Sequence, residues 1–321
     1  MNPDLKSLLK MALDEDCPQG DITTDFFLSS NSPAKAILSA KEPGIFYGEE
    51  VIQTIFEVLC PFQNKTGPAT LSKSLQSPIS IGSFHDLKAG FHFETGINTN
   101  IKLEFTQKNA ATLSNQDVIC TLEGPLPILL KAERVMLNIT QHLSGIATTT
   151  KAFVQALNNP KIDILDTRKT TPLYRSLERH AVLAGGGKNH RFSLSDMVLL
   201  KENHLAGIEK AGHLSRLKEL MVGFKHQHPT KKIEIEIETL DQLKTLDLSE
   251  ADYILLDNFN LDLIEPAVTL CQLRGFKAEI EISGNVTLDT ISRYAHLPIH
   301  RISVGSLTHS PKALDLSLRI C

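Results

Sequence analysis

Apolar residues recur along this chain with two different periods, and the change of period divides it. Up to about residue 135 the pattern is mixed. Helical spacing over Asp4–Leu13 and Glu49–Leu59 is interleaved with strand-like runs such as AKAILSAKE and IKLEFTQ. That mixture predicts an α+β unit around a mostly antiparallel sheet. KAERVMLNITQH, residues 131–142, returns to helical spacing and is expected to bridge two parts of the molecule. Beyond residue 160 short apolar runs alternate with helical stretches. KIDILD, DMVLL, KIEIEIE, DYILLD, AEIEIS and HRISVGS read as strands, with TLDQLKTL and NLDLIEPAVTLCQLRG among the helices between them. Strands alternating with helices imply parallel βαβ units. Six or seven such units favour a β/α barrel, complete or truncated. No Gly-x-Gly-x-x-Gly follows the first strand, which disfavours a dinucleotide fold.

Composition narrows the classes. The chain has 321 residues, 41% of them hydrophobic, enough for one large core or two domains. A net charge of −4 argues against general nucleic-acid binding. Five scattered cysteines without a Cys-x-x-Cys pair argue against a disulfide scaffold and a zinc site, and fit a reducing cytoplasm. The N-terminus lacks the pattern of a signal peptide, and no apolar run approaches the roughly 18 residues of a membrane span.

In a β/α barrel the chemistry sits at the C-terminal ends of the strands. Those ends carry Asp166, Arg168 and Lys169 after the first strand, Lys201 after the second, and Glu236 or Glu238 at the third. Asp257 ends the fourth, Ser283 and Gly284 the fifth, and Gly305 the sixth. Loops are polar in any protein, so each end alone has a bland explanation; all six together do not. IEIEIE places Glu234, Glu236 and Glu238 on one face and isoleucines on the other, and AEIEIS repeats this with Glu279, Glu281 and Ser283. A barrel strand turns its apolar face to the helices, so these glutamates are expected in the lumen, where they need cationic partners.

Residues 164–204 concentrate positive charge: Arg168, Lys169, Arg175, Arg179, Lys188, Arg191 and Lys201, with His180 and His190 among them. Surplus cations at a catalytic mouth point to an anionic ligand, since Arg offers a fork for carboxylate or phosphate and Lys a point charge. AGGGKNHR could add backbone N–H groups, although a plain loop explains three glycines as well. SGN and VGSLTHS place glycine at consecutive strand ends, where many barrels cradle a phosphate. No spacing of histidines supports a tight metal site, while Mg²⁺ held through substrate phosphates and one or two carboxylates stays compatible.

These residues resemble the quinolinate phosphoribosyltransferase family. The matching stretches run from GDITT at residue 20 to VGSLTHS at 304, through ERVMLNITQHLSGIAT, DTRKTTP, HAVLAGGGKNHR, LLKENH, IEIEIETLDQL, LLDNF and EISG. Two positions depart from the family pattern: Leu173 and Asn285 stand where the family usually has glycine. The resemblance implies an N-terminal α/β sandwich domain over residues 1–135, joined by the C-terminal segment 311–321. An incomplete α/β barrel over 136–310 would carry the active site. It implies a cytoplasmic homodimer with shared active sites that joins quinolinate to phosphoribosyl pyrophosphate with Mg²⁺, releasing pyrophosphate and CO₂ and giving nicotinate mononucleotide for NAD synthesis. By carry-over, Arg168, His190, Arg191 and Lys201, with Arg134 of the partner subunit, would bind the quinolinate carboxylates. Lys169 would lie near the pyrophosphate. Glu236 and Asp257 would hold ribose hydroxyls or Mg²⁺, and Ser283, Gly284, Gly305 and His309 the 5-phosphate. Lys169, Lys201, Glu236 and Asp257 form the implied catalytic set.

Three other readings remain open on sequence. A related phosphoribosyltransferase could use nicotinate or another acceptor, although the full cation set from Arg134 to Lys201 favours a dicarboxylate. A barrel aldolase could use Lys201 as a Schiff-base lysine. A nucleotide sensor could keep the pocket without turnover.

Overall fold

A computed structural model of the chain describes residues 4–28, 32–60 and 100–321. Among them the helices are α1 (Leu5–Asp16), α2 (Ile22–Phe27), α3 (Glu49–Leu59), α4 (Leu126–Leu157), α5 (Arg175–Ala184), α6 (Glu202–Lys210), α7 (Leu217–Gln227), α8 (Leu240–Thr245), α9 (Leu261–Leu273) and α10 (Ser306–His309). The strands are β1 (Pro33–Ala40), β2 (Gly44–Ile45), β3 (Lys102–Phe105), β4 (Thr112–Leu113), β5 (Val118–Pro125), β6 (Asp163–Leu165), β7 (Val198–Leu200), β8 (Ile233–Ile237), β9 (Tyr253–Asp257), β10 (Glu279–Ser283), β11 (Arg301–Ser303) and β12 (Leu316–Ile320). They form two compact units, one reaching Thr148 and including Lys312–Cys321, the other spanning Thr149–Pro311. The division falls inside α4.

The first unit is built on an antiparallel sheet of order β12-β1-β5-β3. Leu38 and Ala40 of β1 and Leu122 of β5 are fully buried, as are Ile52 and Ile55 of the amphipathic α3. The expected bridging helix, residues 131–142, is the middle of a longer one. Pro127 sits in its first turn, where a missing N–H costs nothing. Past His142 the apolar period is diluted by Ser144, Gly145 and Thr148. Thr140 and Thr148 return their hydroxyls to the carbonyls of Met136 and Ser144, so the helix continues. Gly145 is required there because a Cβ would lie 2.2 Å from the Lys312 carbonyl oxygen.

The second unit holds six parallel strands in the order β6-β11-β10-β9-β8-β7. Sequence neighbours pair throughout, except that β6 and β7 do not pair with each other, so the barrel is incomplete. The segment before His190 lies against the free side of β6 through a parallel bridge between Leu165 and Lys188. On β8, Ile233, Ile235 and Ile237 are buried, and so are Glu234 and Glu236. This matches a strand between a helical layer and a polar lumen. Two glutamates expected in the lumen are not there. Glu238 follows the end of β8 and Glu279 opens β10, and both are exposed, because the alternation carries no information on where a strand stops. No helix among the described residues is long and apolar enough to cross a membrane.

Candidate active site

A cavity of about 650 Å³ opens at the C-terminal ends of the second unit's strands. β6 and the residues after it bring Thr167, Arg168 and Lys169 to its wall, and β7 brings Leu199 and Lys201. Glu236 comes from β8, Asp257 and Asn258 from β9, Ser283 to Thr287 from β10, and Ser303 to Ser306 with His309 from β11 and α10. His190 and Arg191 complete the lining. The residues assigned to the site on sequence therefore lie at one cavity, Arg134 excepted, while Asp166 and Glu238, also named at strand ends, do not line it. Arg134 is exposed on α4 in the first unit.

The basic segment divides into cations that hold the protein and cations that face the cavity. Arg175 donates to the Phe192 carbonyl and the Thr170 hydroxyl. Arg179 donates to the His190 carbonyl at 2.7 Å and lies 3.5 Å from the buried Asp166. Lys188 pairs with Asp163 at 2.8 Å on the surface. Arg168, Lys169 and Arg191, by contrast, line the cavity with no ion-pair partner among the described residues. Arg168 also buries its Nε with no hydrogen-bond acceptor. Arg191 is only 8% exposed and donates one guanidinium N–H to the Met197 carbonyl. Burial lowers its pKa, as does the charge of Arg168, so an anion between the two would relieve both.

The glycine run does not form the backbone anion site considered for it. The amides of Gly185, Gly186 and Gly187 donate to the carbonyls of Ala181, Leu183 and Val182, and that of Lys188 to Ile164. They close the C-terminus of α5 and lead the chain alongside β6. The late glycines lie at the cavity. Gly284 has φ +91°, and a Cβ there would lie 2.1 Å from Asn258 Oδ1. At Gly305 a Cβ would press at 3.2 Å on both Lys169 Cδ and the His309 ring.

Lys201 and Glu236 form an ion pair of 2.8 Å at the mouth. An amine engaged in this way is not free to attack a carbonyl, which weighs against the Schiff-base reading. Burial raises the Glu236 pKa, Lys201 lowers it, and the hydrogen bond that its protonated form donates to Glu202 and the charge of Asp257 raise it again. Glu236 and Asp257 thus face one cavity from neighbouring strands. They offer oxygen donors only, too few to hold a hard divalent cation without phosphate oxygens and water.

Beneath the cavity floor lies a second charged cluster. His190 Nε2 is 3.0 Å from Glu234 Oε2 and 3.4 Å from Glu281 Oε1, and both glutamates are 0% exposed. Arg301 holds their other oxygens, at 2.6 Å from Glu281 and 3.2 Å from Glu234, and stacks 3.6 Å from the centre of the Tyr253 ring. Burial lowers the His190 pKa, but the two carboxylates outweigh it and raise the value to about 9. The Arg191 amide, aimed at His190 Nδ1 from 2.7 Å, opposes a proton on that nitrogen. Either charge state keeps a proton on Nε2, between the carboxylates. His190, Glu234 and Glu281 have metal-ligand spacing, their donor atoms lying within 4.8 Å of one another. A ligating imidazole donates through its second nitrogen, however, and here that nitrogen accepts. That geometry favours a proton on Nε2 over a metal ion among these three groups. Sequence reading placed Glu234 and Glu281 in the lumen but missed Arg301; the signal was the need of two buried carboxylates for a cation. It also missed Asn258, which donates to Asp257 at 2.7 Å and accepts from Asn285 at 3.2 Å.

Both departures from the family's glycines fall at positive φ. Asn285 has φ +53°, which asparagine tolerates. Leu173 has φ +69° at the third position of a Thr171–Tyr174 turn, after Pro172, with the Tyr174 amide donating to the Thr171 carbonyl at 3.1 Å. A turn of this kind favours glycine there. The Leu173 side chain is 58% exposed and compensates little. Leu173→Gly should therefore stabilise the protein by about 0.5–1 kcal/mol, whereas Leu173→Ala should not. Calorimetric melting of both variants checks this, and equal melting points would count against strain at this turn.

Comparison with known proteins agrees with this geometry. Residues 146–319, more than half of the chain, match the model of the quinolinate phosphoribosyl transferase C-terminal domain. The chain is 34% identical over 316 residues to a probable nicotinate-nucleotide pyrophosphorylase [carboxylating] of Bacillus subtilis, covering 98% of this chain and 93% of that one. It is 31% identical to the chloroplastic nicotinate-nucleotide pyrophosphorylase [carboxylating] of Arabidopsis thaliana, covering 99% and 83%. The crystal structure of NadC from Streptococcus pyogenes superposes with a TM-score of 0.78 at 34% identity, covering 99% and 97%. With the family's domain spanning the cavity-bearing unit and relatives matching nearly end to end, this chain belongs to the quinolinate phosphoribosyltransferase family.

Proposed function

We propose that this cavity joins quinolinate to phosphoribosyl pyrophosphate and decarboxylates the product to nicotinate mononucleotide, a step of NAD synthesis. The observation that carries this reading is the set of Arg168, Lys169 and Arg191, cations without an ion-pair partner among the described residues, one of them with a buried orphan N–H, facing two carboxylates across one cavity. A ligand with several negative groups satisfies the first side, and a centre that becomes positive satisfies the second.

Arg168, Arg191 and Lys201 bind the acceptor's two carboxylates, with His190 beside them and Arg134 of the partner subunit closing the site. Lys169 lies toward the pyrophosphate. Ser283, Gly284, Gly305 and His309 hold the 5-phosphate. The pyridine nitrogen forms a bond to the anomeric carbon as the carbon–oxygen bond to pyrophosphate breaks. Glu236 and Asp257 stabilise the positive charge that develops there. The ring nitrogen is then cationic. Cleavage of the bond to the 2-carboxylate releases CO₂ and leaves its electron pair on the ring carbon next to that charge, where a proton is taken up. Glu236 and Asp257 also fit Mg²⁺ bound through the substrate, which would neutralise pyrophosphate charge. The exposed Ile22, Phe26 and Phe27 of α2 support an apolar contact with a second copy, and five free cysteines support a reducing, cytoplasmic setting.

Release of labelled CO₂ from carboxyl-labelled quinolinate should require phosphoribosyl pyrophosphate. Release without it, or none with it, would refute the reading. In the same assay a mixture of inactive Arg134→Ala and Lys201→Ala subunits should regain activity. No recovery after confirmed subunit exchange would mean that each site is built from one chain.

A further inference from the structure

Apart from His190, the cluster below the cavity floor has no part in the reaction as written, yet it sets two fully buried carboxylates against Arg301. Glu234 from β8 and Glu281 from β10 come from alternate strands, as the layers of a barrel lumen do. Each spends one oxygen on Arg301. The other oxygens, Glu234 Oε2 and Glu281 Oε1, have no well-aligned hydrogen-bond donor, and both lie against His190 Nε2. Such a group is poorly explained by stability alone, since well-packed apolar residues often stabilise a core as well as a buried ionic cluster does. Its effect is instead directional. The ring of His190 is held from below by the carboxylates. Its backbone amide donates to Asp166 at 2.7 Å, and its Nδ1 receives the Arg191 amide at 2.7 Å. The carbonyl of the peptide between His190 and Arg191 accepts from Arg179 at 2.7 Å while its N–H donates to the ring, so that peptide is fixed from both sides, and Arg191 follows it into the cavity.

We propose that Glu234 and Glu281, braced by Arg301, are positioning residues that fix His190 and, through it, aim Arg191 at the carboxylates of the acceptor. This rests on the reading that the cavity binds quinolinate. It also changes the part of His190: both ring nitrogens are engaged within the protein, so its principal act is to orient Arg191. The cluster serves the acceptor and leaves the phosphate side alone, because Ser283, Gly284, Gly305 and His309 share no hydrogen bond with it among the described residues.

The test is calorimetric titration of quinolinate and, separately, of phosphoribosyl pyrophosphate into wild type and Glu281→Gln, with steady-state kinetics on both. Glu281→Gln should weaken quinolinate on the order of tenfold to a hundredfold and raise its KM. The affinity for phosphoribosyl pyrophosphate should stay within about twofold of wild type, since the variant leaves every phosphate contact in place. Unchanged quinolinate binding, or equal weakening of both ligands with a lowered melting point, would overturn the proposal and leave a structural cluster. If the single variant unfolds, the triple variant Glu234→Gln, Glu281→Gln, Arg301→Met leaves no buried charge unpaired and faces the same two outcomes. In the ¹⁵N spectrum of the wild type, His190 should carry its proton on Nε2; a proton on Nδ1 alone would also overturn the proposal. Wild type that turns over but shows none of these effects defeats this inference, whereas wild type that binds no quinolinate defeats the functional reading beneath it.

Discussion

Glu236→Gln should slow the single-turnover reaction by on the order of 10²–10³ while changing the affinity for either substrate far less. The amide keeps the size of the side chain and removes its charge. Only a contact that strengthens as the anomeric carbon becomes positive affects the chemical step in this way. The competing role is visible in the structure, where Glu236 lies 2.8 Å from Lys201 and could serve only to balance it. A variant with that role alone would melt earlier, because it leaves a cation without its partner, and would keep nearly normal chemistry. Melting temperature and single-turnover rate on the same preparation separate the two, and a large stability loss with an intact rate would remove Glu236 from catalysis.

Arg168→Ala should weaken quinolinate binding by roughly 2–5 kcal/mol and leave phosphoribosyl pyrophosphate largely unaffected. Arg168 is half-buried at the cavity, its Nε has no acceptor, and no carboxylate of the described protein pairs with it. The acceptor's carboxylate therefore meets a donor already dehydrated, which is why its loss is costly. Calorimetry on each ligand measures the split. Equal weakening of both would show that Arg168 supports the cavity as a whole.

Much of this site is visible in local pattern because strand ends are local. A period of two followed by a polar residue marks Glu236, Asp257 and Ser283 without knowledge of the fold, and barrel geometry then brings them together. What pattern conceals is partnership. Three glycines beside basic residues look like an anion loop, yet their amides finish a helix, and no composition reveals where an N–H points. Arg301 opens a short apolar run and reads as the entrance to a strand, although it braces two glutamates 67 and 20 residues away. The length of α4 is hidden by hydroxyl residues that satisfy themselves on its own carbonyls. Leu173 differs in kind: the departure is visible in sequence, but its φ of +69° is needed to tell a changed loop from an unchanged loop under strain.

The missing pairing between β6 and β7 has a consequence for how recognition could be altered. In a closed ring each connection emerges above the rim, and the wall itself is fixed by pairing. Here the chain between Asp166 and Met197 enters the wall where a ladder would otherwise run, as the Leu165–Lys188 bridge records. That single continuous stretch supplies Arg168, Lys169, His190 and Arg191, while the carboxylates and late glycines of the opposite side stand on β8 to β11, in an unbroken sheet. On the proposed assignment most of the acceptor's cations therefore stand on this one stretch, although Lys201 follows β7 beyond it and Lys169, within it, lies toward the donor. A graft meant to change the acceptor would therefore exchange this stretch as a unit, retain Lys169 for the donor and include Lys201 at the end of β7, leaving the sheet from β8 to β11 in place.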